Sequence, residues 1–98
     1  MATHIRSGNL ARYLDEMDAL VDEMTDPAAK IGARLIVNLL RRNYNLHNGG
    51  KPPSTIRLST LPRALENKEY LIAEMRDPAE KDAAQLIVNL IRRKYSLD

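Results

Sequence analysis

The sequence has 98 residues, with 15 lysines and arginines, 13 aspartates and glutamates, and no cysteine. A chain of this length buries about 60–70% of its unfolded surface, which is enough for one modest core but not for two independent ones. The lack of cysteine excludes disulfides, thiolate chemistry and cysteine-based metal sites, and a net charge of +2 is too small to indicate nucleic acid by itself.

Composition and hydropathy indicate a water-soluble chain. Apolar residues make up 44% and charged residues 29% of the sequence, which is typical of globular rather than disordered proteins. No segment is apolar over the ~18 residues that a membrane-spanning helix needs, and the polar N-terminus lacks the apolar centre of a signal peptide. We therefore expect a cytoplasmic protein with no membrane partner.

The chain repeats itself with an offset of 51 residues. The segment LIVNLLRRNY at 35–44 returns as LIVNLIRRKY at 86–95, and 22 of the 44 aligned positions are identical without a gap. This density indicates a duplication, but two copies are too few for an open solenoid. Each copy is expected to stand for one subunit of a two-fold dimer. We predict a single domain, 1–98, made of repeat 1 (3–46), a linker (47–53) and repeat 2 (54–97).

Each repeat begins with a short segment around an isoleucine, Ile5 in the first and Ile56 in the second. Apolar and polar residues alternate with period two over 54–59, as in a half-buried strand, whereas the first repeat alternates only weakly. A short strand and an extended N-terminal arm are both compatible with this pattern.

A helical hairpin follows in each repeat. Apolar residues recur every three or four positions from about Leu10 to Met24, and the stripe returns in repeat 2. Small polar residues precede these helices and are expected to cap them: Ser7 or Asn9, and Ser59 or Thr60. The dipeptide Asp-Pro, at 26–27 and 77–78, stops the first helix and caps the second, so the turn is tight.

The second helices are expected to run from Pro27 to about Tyr44 and from Pro78 to about Tyr95. Their apolar arc covers more than half of the circumference and needs neighbours on two sides, which places them at the centre. The predicted fold class is mainly α, with two tandem αα-hairpins packed by pseudo-two-fold symmetry into one four-helix domain. The linker HNGGKPP combines flexible glycines with extended prolines, which favours reach.

The titratable residues give no sign of catalysis. His4 and His47 lie in the arm and the linker without a second ligand at helical spacing, and Gly49-Gly50 does not open a helix as a phosphate loop would. No nucleophile lies near a base in the sequence pattern. We expect a protein that is not an enzyme, with no catalytic residues, no cofactor and no metal.

Several surfaces are candidates for binding a partner. The first helix carries an acidic face, with Asp15, Asp18 and Asp22. Arginine pairs end the second helices, either as complements of the helix dipole or as basic clusters for phosphates or acidic protein: Arg41, Arg42, Arg92 and Arg93. Ile31 and Tyr70 are candidates for an exposed apolar patch. Asn38 and Asn89, amid apolar residues, are either a buried polar pair that fixes register or surface residues.

The order short strand, helix, tight turn and longer helix in about 45 residues resembles one subunit of a ribbon-helix-helix repressor. The tandem pair resembles a single-chain version of the intertwined dimer of that family. The resemblance implies that the N-terminal ends of the second helices meet DNA phosphates. It also implies that side chains of a two-stranded ribbon enter the DNA major groove: His4, Arg6, Thr55, Arg57 and Ser59.

Two hypotheses for function follow from the sequence. The first is a non-catalytic helical interaction module, a small adaptor or scaffold that binds a protein partner through its acidic face or its basic helix ends. The alternative is a DNA-binding transcriptional regulator of ribbon-helix-helix type, which rests on Arg6 and Arg57. In either case we expect a monomer with internal pseudo-two-fold symmetry or a weak homodimer.

Overall fold

The computed structural model describes residues 3–97. Its elements in chain order are β1 (His4–Arg6), α1 (Ser7–Asp22), α2 (Pro27–Asn43), β2 (Thr55–Arg57), α3 (Thr60–Ala73) and α4 (Pro78–Lys94). Each repeat is thus a strand followed by a helical hairpin, and the predicted fold class is confirmed. Within 3–97, none of the helices has the length and apolar content needed to cross a membrane.

The two strands form an antiparallel ribbon in which Ile5 pairs with Ile56, its own equivalent in the other repeat. The flanking pairs are His4 with Arg57 and Arg6 with Thr55. Two backbone hydrogen bonds extend the ladder at its ends, from Leu58 N to Thr3 O at 2.9 Å and from Ser7 N to Ser54 O at 3.1 Å. Of the two interpretations of these segments, the strand is therefore correct. A pseudo-two-fold axis passes between the paired isoleucines.

Helices α2 and α4 pack against each other at the centre of the domain. Their inner faces are fully buried, with Ile36, Val37 and Leu40 from α2 and the equivalent Ile87, Val88 and Ile91 from α4. The two helices approach closely at Gly32, where a Cβ atom would lie 2.8 Å from Glu80 Cγ and nearer still to the Glu80 carbonyl oxygen. The absence of a side chain at this position lets the two backbones meet.

The repeats are intertwined, because each first helix also contacts the second helix of the other repeat. The Tyr13 hydroxyl of α1 donates to Leu90 O of α4 at 3.2 Å, and its ring meets Tyr95 edge-on with centroids 6.1 Å apart. On the other side, the hydroxyls of Tyr44 and Thr60 lie 2.9 Å apart. Burial is the main reason that the pKa of each of these three tyrosines is raised. The two hairpins share one core.

The predicted aspartate caps of the second helices are present in the structure. Asp26 accepts a hydrogen bond from Ala28 N at 2.8 Å, and Asp77 accepts one from Ala79 N at 2.9 Å. Proline follows each aspartate as the first helical residue, where its missing N–H costs nothing.

Ser59 occupies the predicted N-cap position of α3, but neither first helix has a side-chain cap hydrogen bond, and the N-cap residue of α1 is Arg6. Helix α1 begins at Ser7, ahead of the predicted Leu10, and the Ser7 hydroxyl donates to Pro53 O instead of capping a helix N–H. Thr60 Oγ1 likewise donates to Arg57 O at 2.8 Å. These hydroxyls tie the helix starts to the ribbon and the linker, which is a tertiary role that local capping rules do not anticipate.

The linker is turned at its start rather than extended over its length. Gly50 N donates to His47 O at 2.9 Å, and Gly49 has a φ of +84°, a left-handed conformation that favours glycine. A Cβ atom at Gly50 would lie 2.9 Å from the carbonyl carbon of Asn45. The linker therefore spans a shorter distance than its composition predicts, because its first residues form a turn against the end of α2.

One polar residue of the core was not anticipated from the sequence. Lys68 is 6% exposed, and its equivalent Met17 is 5% exposed. With the Asn43 amide oriented to present its oxygen, the Lys68 ammonium donates to it at 3.1 Å. Burial lowers the pKa of Lys68 because desolvation disfavours the charged amine. The lysine replaces a core methionine by burying its aliphatic stem.

We expect Gly32→Ala to lower the free energy of unfolding by about 1–3 kcal/mol, because the new methyl group has to displace the backbone of α4. The matched control is Gly8→Ala in α1, where a Cβ atom meets nothing within 4 Å. The control is expected to raise stability by up to ~1 kcal/mol through helix propensity. Urea unfolding of both variants measures the difference, and a Gly32→Ala protein as stable as the parent would contradict the packing described.

Candidate nucleic-acid interface

The outer face of the ribbon presents four exposed polar side chains: His4, Arg6, Thr55 and Arg57. Its inner face carries the isoleucines, and Ile56 is only 3% exposed. This division follows from the strand period of two, since alternate side chains point to opposite faces. The ribbon is therefore held to the core by its isoleucines while two arginines, one histidine and one threonine face away from it.

The side chain of His4 is oriented by its neighbour. The Thr3 hydroxyl lies 2.9 Å from His4 Nδ1, within hydrogen-bonding distance. Either atom can be the donor, depending on the tautomer of the imidazole. This contact leaves Nε2 as the ring nitrogen available to a ligand on the outer face.

Both strands lie in segments of the chain that contain no acidic residue, although Glu16 of α1 borders a cleft with Ile5 and Arg12. Residues 1–14 and 27–65 lack aspartate and glutamate, while 27–65 alone carries seven lysines and arginines. Arg12 borders a surface cleft together with Arg6, and its equivalent Arg63 borders a cleft with Tyr44 and Thr60. Arg12 and Arg63 were overlooked as candidates, although the acid-free stretches that contain them are visible in the sequence.

The N-terminal ends of α2 and α4 do not present free N–H groups in the way that the family resemblance implies. The side chains of Asp26 and Asp77 already accept from the first of these N–H groups. A carboxylate at this position also repels a phosphate. Arg12 and Arg63, which follow the last residue of each strand by six positions, lie on the first helices and have no capping carboxylate beside them.

The acidic face and the basic helix ends meet within each hairpin. Arg41 Nη2 lies 2.7 Å from Asp15 Oδ1 and 2.6 Å from Asp18 Oδ2. In repeat 2, the equivalent Arg92 donates to Glu69 through both terminal nitrogens, with Nη1 at 2.9 Å from Oε2. Two of the four candidate arginines are thus engaged by the first helix of their own hairpin. Arg42 and Arg93 are exposed.

The third candidate of the acidic face is also engaged. Asp22 Oδ1 lies 2.6 Å from Arg34 Nη2 at the exposed edge between α1 and α2. The acidic face is therefore largely neutralised by cations of the adjacent helix, which reduces its value for binding an external basic partner.

The candidate apolar residues Ile31 and Tyr70 are 62% and 67% exposed. A groove between α2 and α3 is instead bordered by Leu35, Leu39 and Leu71. Tyr70 and Leu71 are neighbours in sequence, so their side chains point about 100° apart around α3, and only Leu71 borders the groove. Asn38 and Asn89 are exposed, so of their two interpretations the surface residue is correct.

The side chains on the outer face of the ribbon can donate hydrogen bonds, and its two arginines carry positive charge. Within residues 3–97, no group of three or more histidine, aspartate or glutamate side chains could hold a metal ion. No protein family model, no curated protein and no solved structure matches this chain.

We expect Glu69→Gln to lower the free energy of unfolding by about 1 kcal/mol at neutral pH, since it removes a partly buried carboxylate from Arg92. The Arg92 guanidinium is the main reason that the pKa of Glu69 is lowered. A lowered pKa contributes stability above the ordinary value of 4.5, and this contribution is lost as the pH falls through the lowered value.

The difference between Glu69→Gln and the parent should therefore shrink as the pH falls below about 4.5. Glu74→Gln is the control, because this exposed glutamate on the same helix end has no ion pair among those described. Urea unfolding at neutral and acidic pH measures both variants. A pH-independent difference for Glu69→Gln would mean that the ion pair is not its cause.

Proposed function

We propose that this protein binds double-stranded DNA by placing its two-stranded ribbon in the major groove. The observation that carries the proposal is the antiparallel pairing of β1 with β2, with four polar side chains exposed on the outer face. The major groove of B-DNA is about 12 Å wide and admits a two-stranded β-ribbon. Both strands belong to acid-free segments of the chain, 1–14 and 27–65, which favours a polyanion.

Each ribbon side chain has a chemistry that base edges can use. Arg6 and Arg57 can donate two hydrogen bonds to a guanine, and Thr55 offers a hydroxyl and a methyl group. His4 contributes a ring nitrogen whose partner nitrogen is engaged by Thr3. Phosphate contacts fall to Arg12, which borders a cleft with Arg6 and Thr55 of the ribbon, and to Arg63, its equivalent in repeat 2.

The double substitution Arg6→Ala and Arg57→Ala should weaken binding to a selected duplex by at least about 30-fold, because each of the two bidentate contacts contributes about 1–3 kcal/mol. Fluorescence anisotropy with a labelled duplex, at low and near-physiological salt, measures this change. The parent protein should lose affinity steeply as salt rises, since its cations displace counterions from the phosphates.

The matched control is Arg6→Lys with Arg57→Lys, which keeps the charge but removes the two-donor fork. This variant should retain most of its affinity for a mixed-sequence duplex and lose its preference for the selected one. Circular dichroism checks that the exposed substitutions leave the helices intact. Unchanged DNA binding by the alanine variant, or no binding by the parent at low salt, would refute the proposal.

A second candidate function, the protein interaction module, is favoured by one specific observation. Four leucines remain about 40% exposed, and they are pairs of equivalents in the two repeats: Leu35 with Leu86, and Leu20 with Leu71. An exposed apolar patch that packs on the same patch of a second copy of this chain makes an isologous contact. The partner in this candidate is therefore another molecule of the same protein, bound as a weak homodimer.

For this candidate we expect sedimentation velocity to show a concentration-dependent increase in size at high micromolar protein. Leu35→Lys with Leu86→Lys should abolish the increase by placing like charges in the contact. Ile31→Lys, which changes an exposed apolar residue outside the groove, is the control. A parent protein that stays monomeric at all concentrations would exclude self-association.

A further inference from the structure

The two halves of the ribbon carry different side chains at one pair of equivalent positions. The pseudo-two-fold axis relates Arg6 to Arg57, so the arginines are the same in both halves. It also relates His4 to Thr55, and here the halves differ. All four side chains are exposed on the same face of the sheet.

We infer that this protein recognises a directional, non-palindromic DNA site, with His4 and Thr55 as the residues that distinguish its two half-sites. The inference rests on the proposed DNA-binding function. The half-site met by His4 and Arg57 is called here the histidine half-site, and the half-site met by Thr55 and Arg6 the threonine half-site. One linked chain always presents one ribbon half with His4 and one with Thr55.

The reason lies in what the two side chains offer to a base pair. Threonine presents a short hydroxyl beside a methyl group, which suits apolar contact with a thymine methyl. Histidine is longer and planar, and its Nε2 can donate to or accept from a base edge according to its tautomer. The Thr3 hydroxyl lies 2.9 Å from His4 Nδ1 and leaves Nε2 to face a base, so these two positions read different groups at equivalent places in the groove.

The clefts beside the two halves of the ribbon also differ from each other. The cleft beside His4 and Arg57 has apolar walls from Leu58, Pro62 and Leu97. The equivalent cleft beside Arg6 and Thr55 is lined by Gly8, Asn9 and Ser54. The structure therefore departs from two-fold symmetry in the ribbon face and beside it, while the pairing register that positions the ribbon keeps the symmetry.

The linkage of the repeats makes this asymmetry permanent. Two separate subunits of one kind would present the same side chain twice and favour a palindrome. Here the covalent connection at 47–53 and the hydrogen bond from the Ser7 hydroxyl to Pro53 O join one histidine half to one threonine half. A directional site is the sequence that matches such a ribbon.

The test begins by selecting duplexes from a random pool with the full chain. From the enriched sequence, three duplexes are made: the selected site, and the two palindromes that repeat either its histidine half-site or its threonine half-site. The parent protein should bind the selected site about 5- to 100-fold more tightly than either palindrome, since one mismatched contact costs about that factor.

Reciprocal variants assign the half-sites. His4→Thr should bind the threonine palindrome best, Thr55→His should bind the histidine palindrome best, and the double exchange should again prefer the selected site. A hydroxyl-radical probe attached to a single cysteine at exposed Asn48 should cleave at opposite ends of the site for the parent and the double exchange. The chain has no other cysteine.

The possible results distinguish a failure of the proposed DNA binding from a failure of the inferred direction of the site. An absence of binding to any duplex refutes the proposed function and the inference with it. Binding to an enriched palindrome, enrichment of no motif, or a directional motif that the exchanges leave unchanged overturns the inference while DNA binding stands. A shift of preference to the predicted palindromes supports it, and circular dichroism confirms that the variants are folded.

Discussion

The apolar arc of each second helix is wider than half its circumference, so α2 and α4 can leave water only by packing on each other and on both first helices. Gly32 allows this packing by bringing the backbone of α2 against Glu80 of α4. Tyr13 then reaches across to Leu90 and Tyr95 of the other repeat. A single hairpin would expose the surfaces that these contacts cover, because the two repeats contribute to one core.

The central packing also decides the register of the ribbon. The hairpins are fixed about a pseudo-two-fold axis, so the strands that precede them meet with Ile5 opposite Ile56. A slip by one residue would turn the isoleucines toward solvent and the arginines toward the core, which is costly. The outward placement of Arg6 and Arg57 is therefore a consequence of core packing. The proposed DNA-binding face and its proposed direction both depend on it.

In the helical hairpins, arginines of the second helices form ion pairs with acidic residues of the first helices, whereas the arginines of the ribbon form none in the described part of the chain. Arg41 and Arg92 meet Asp18 and Glu69 at equivalent positions of the two hairpins. These ion pairs neutralise charges that the sequence alone suggested were available to a partner, on the acidic face and at the basic helix ends. The acid-free segments 1–14 and 27–65 include both strands, and within residues 3–97 no ion pair involves Arg6 or Arg57. The net charge of +2 conceals this separation.

The sequence by itself determined the duplication, the helical hairpins and the aspartate caps, because these depend on contacts between residues close in the chain or on a pattern written twice. It also indicated the central position of the second helices through their wide apolar arc. Only the tertiary structure decided what depends on distant segments. The pairing of Ile5 with Ile56 showed that the N-terminal segments are strands and not extended arms. Packing against α2 buried Lys68, and the Tyr13 hydroxyl found its hydrogen-bond acceptor in the other repeat. Local rules misplaced the start of α1 for the same reason, since the Ser7 hydroxyl is satisfied by Pro53, 46 residues away in the chain.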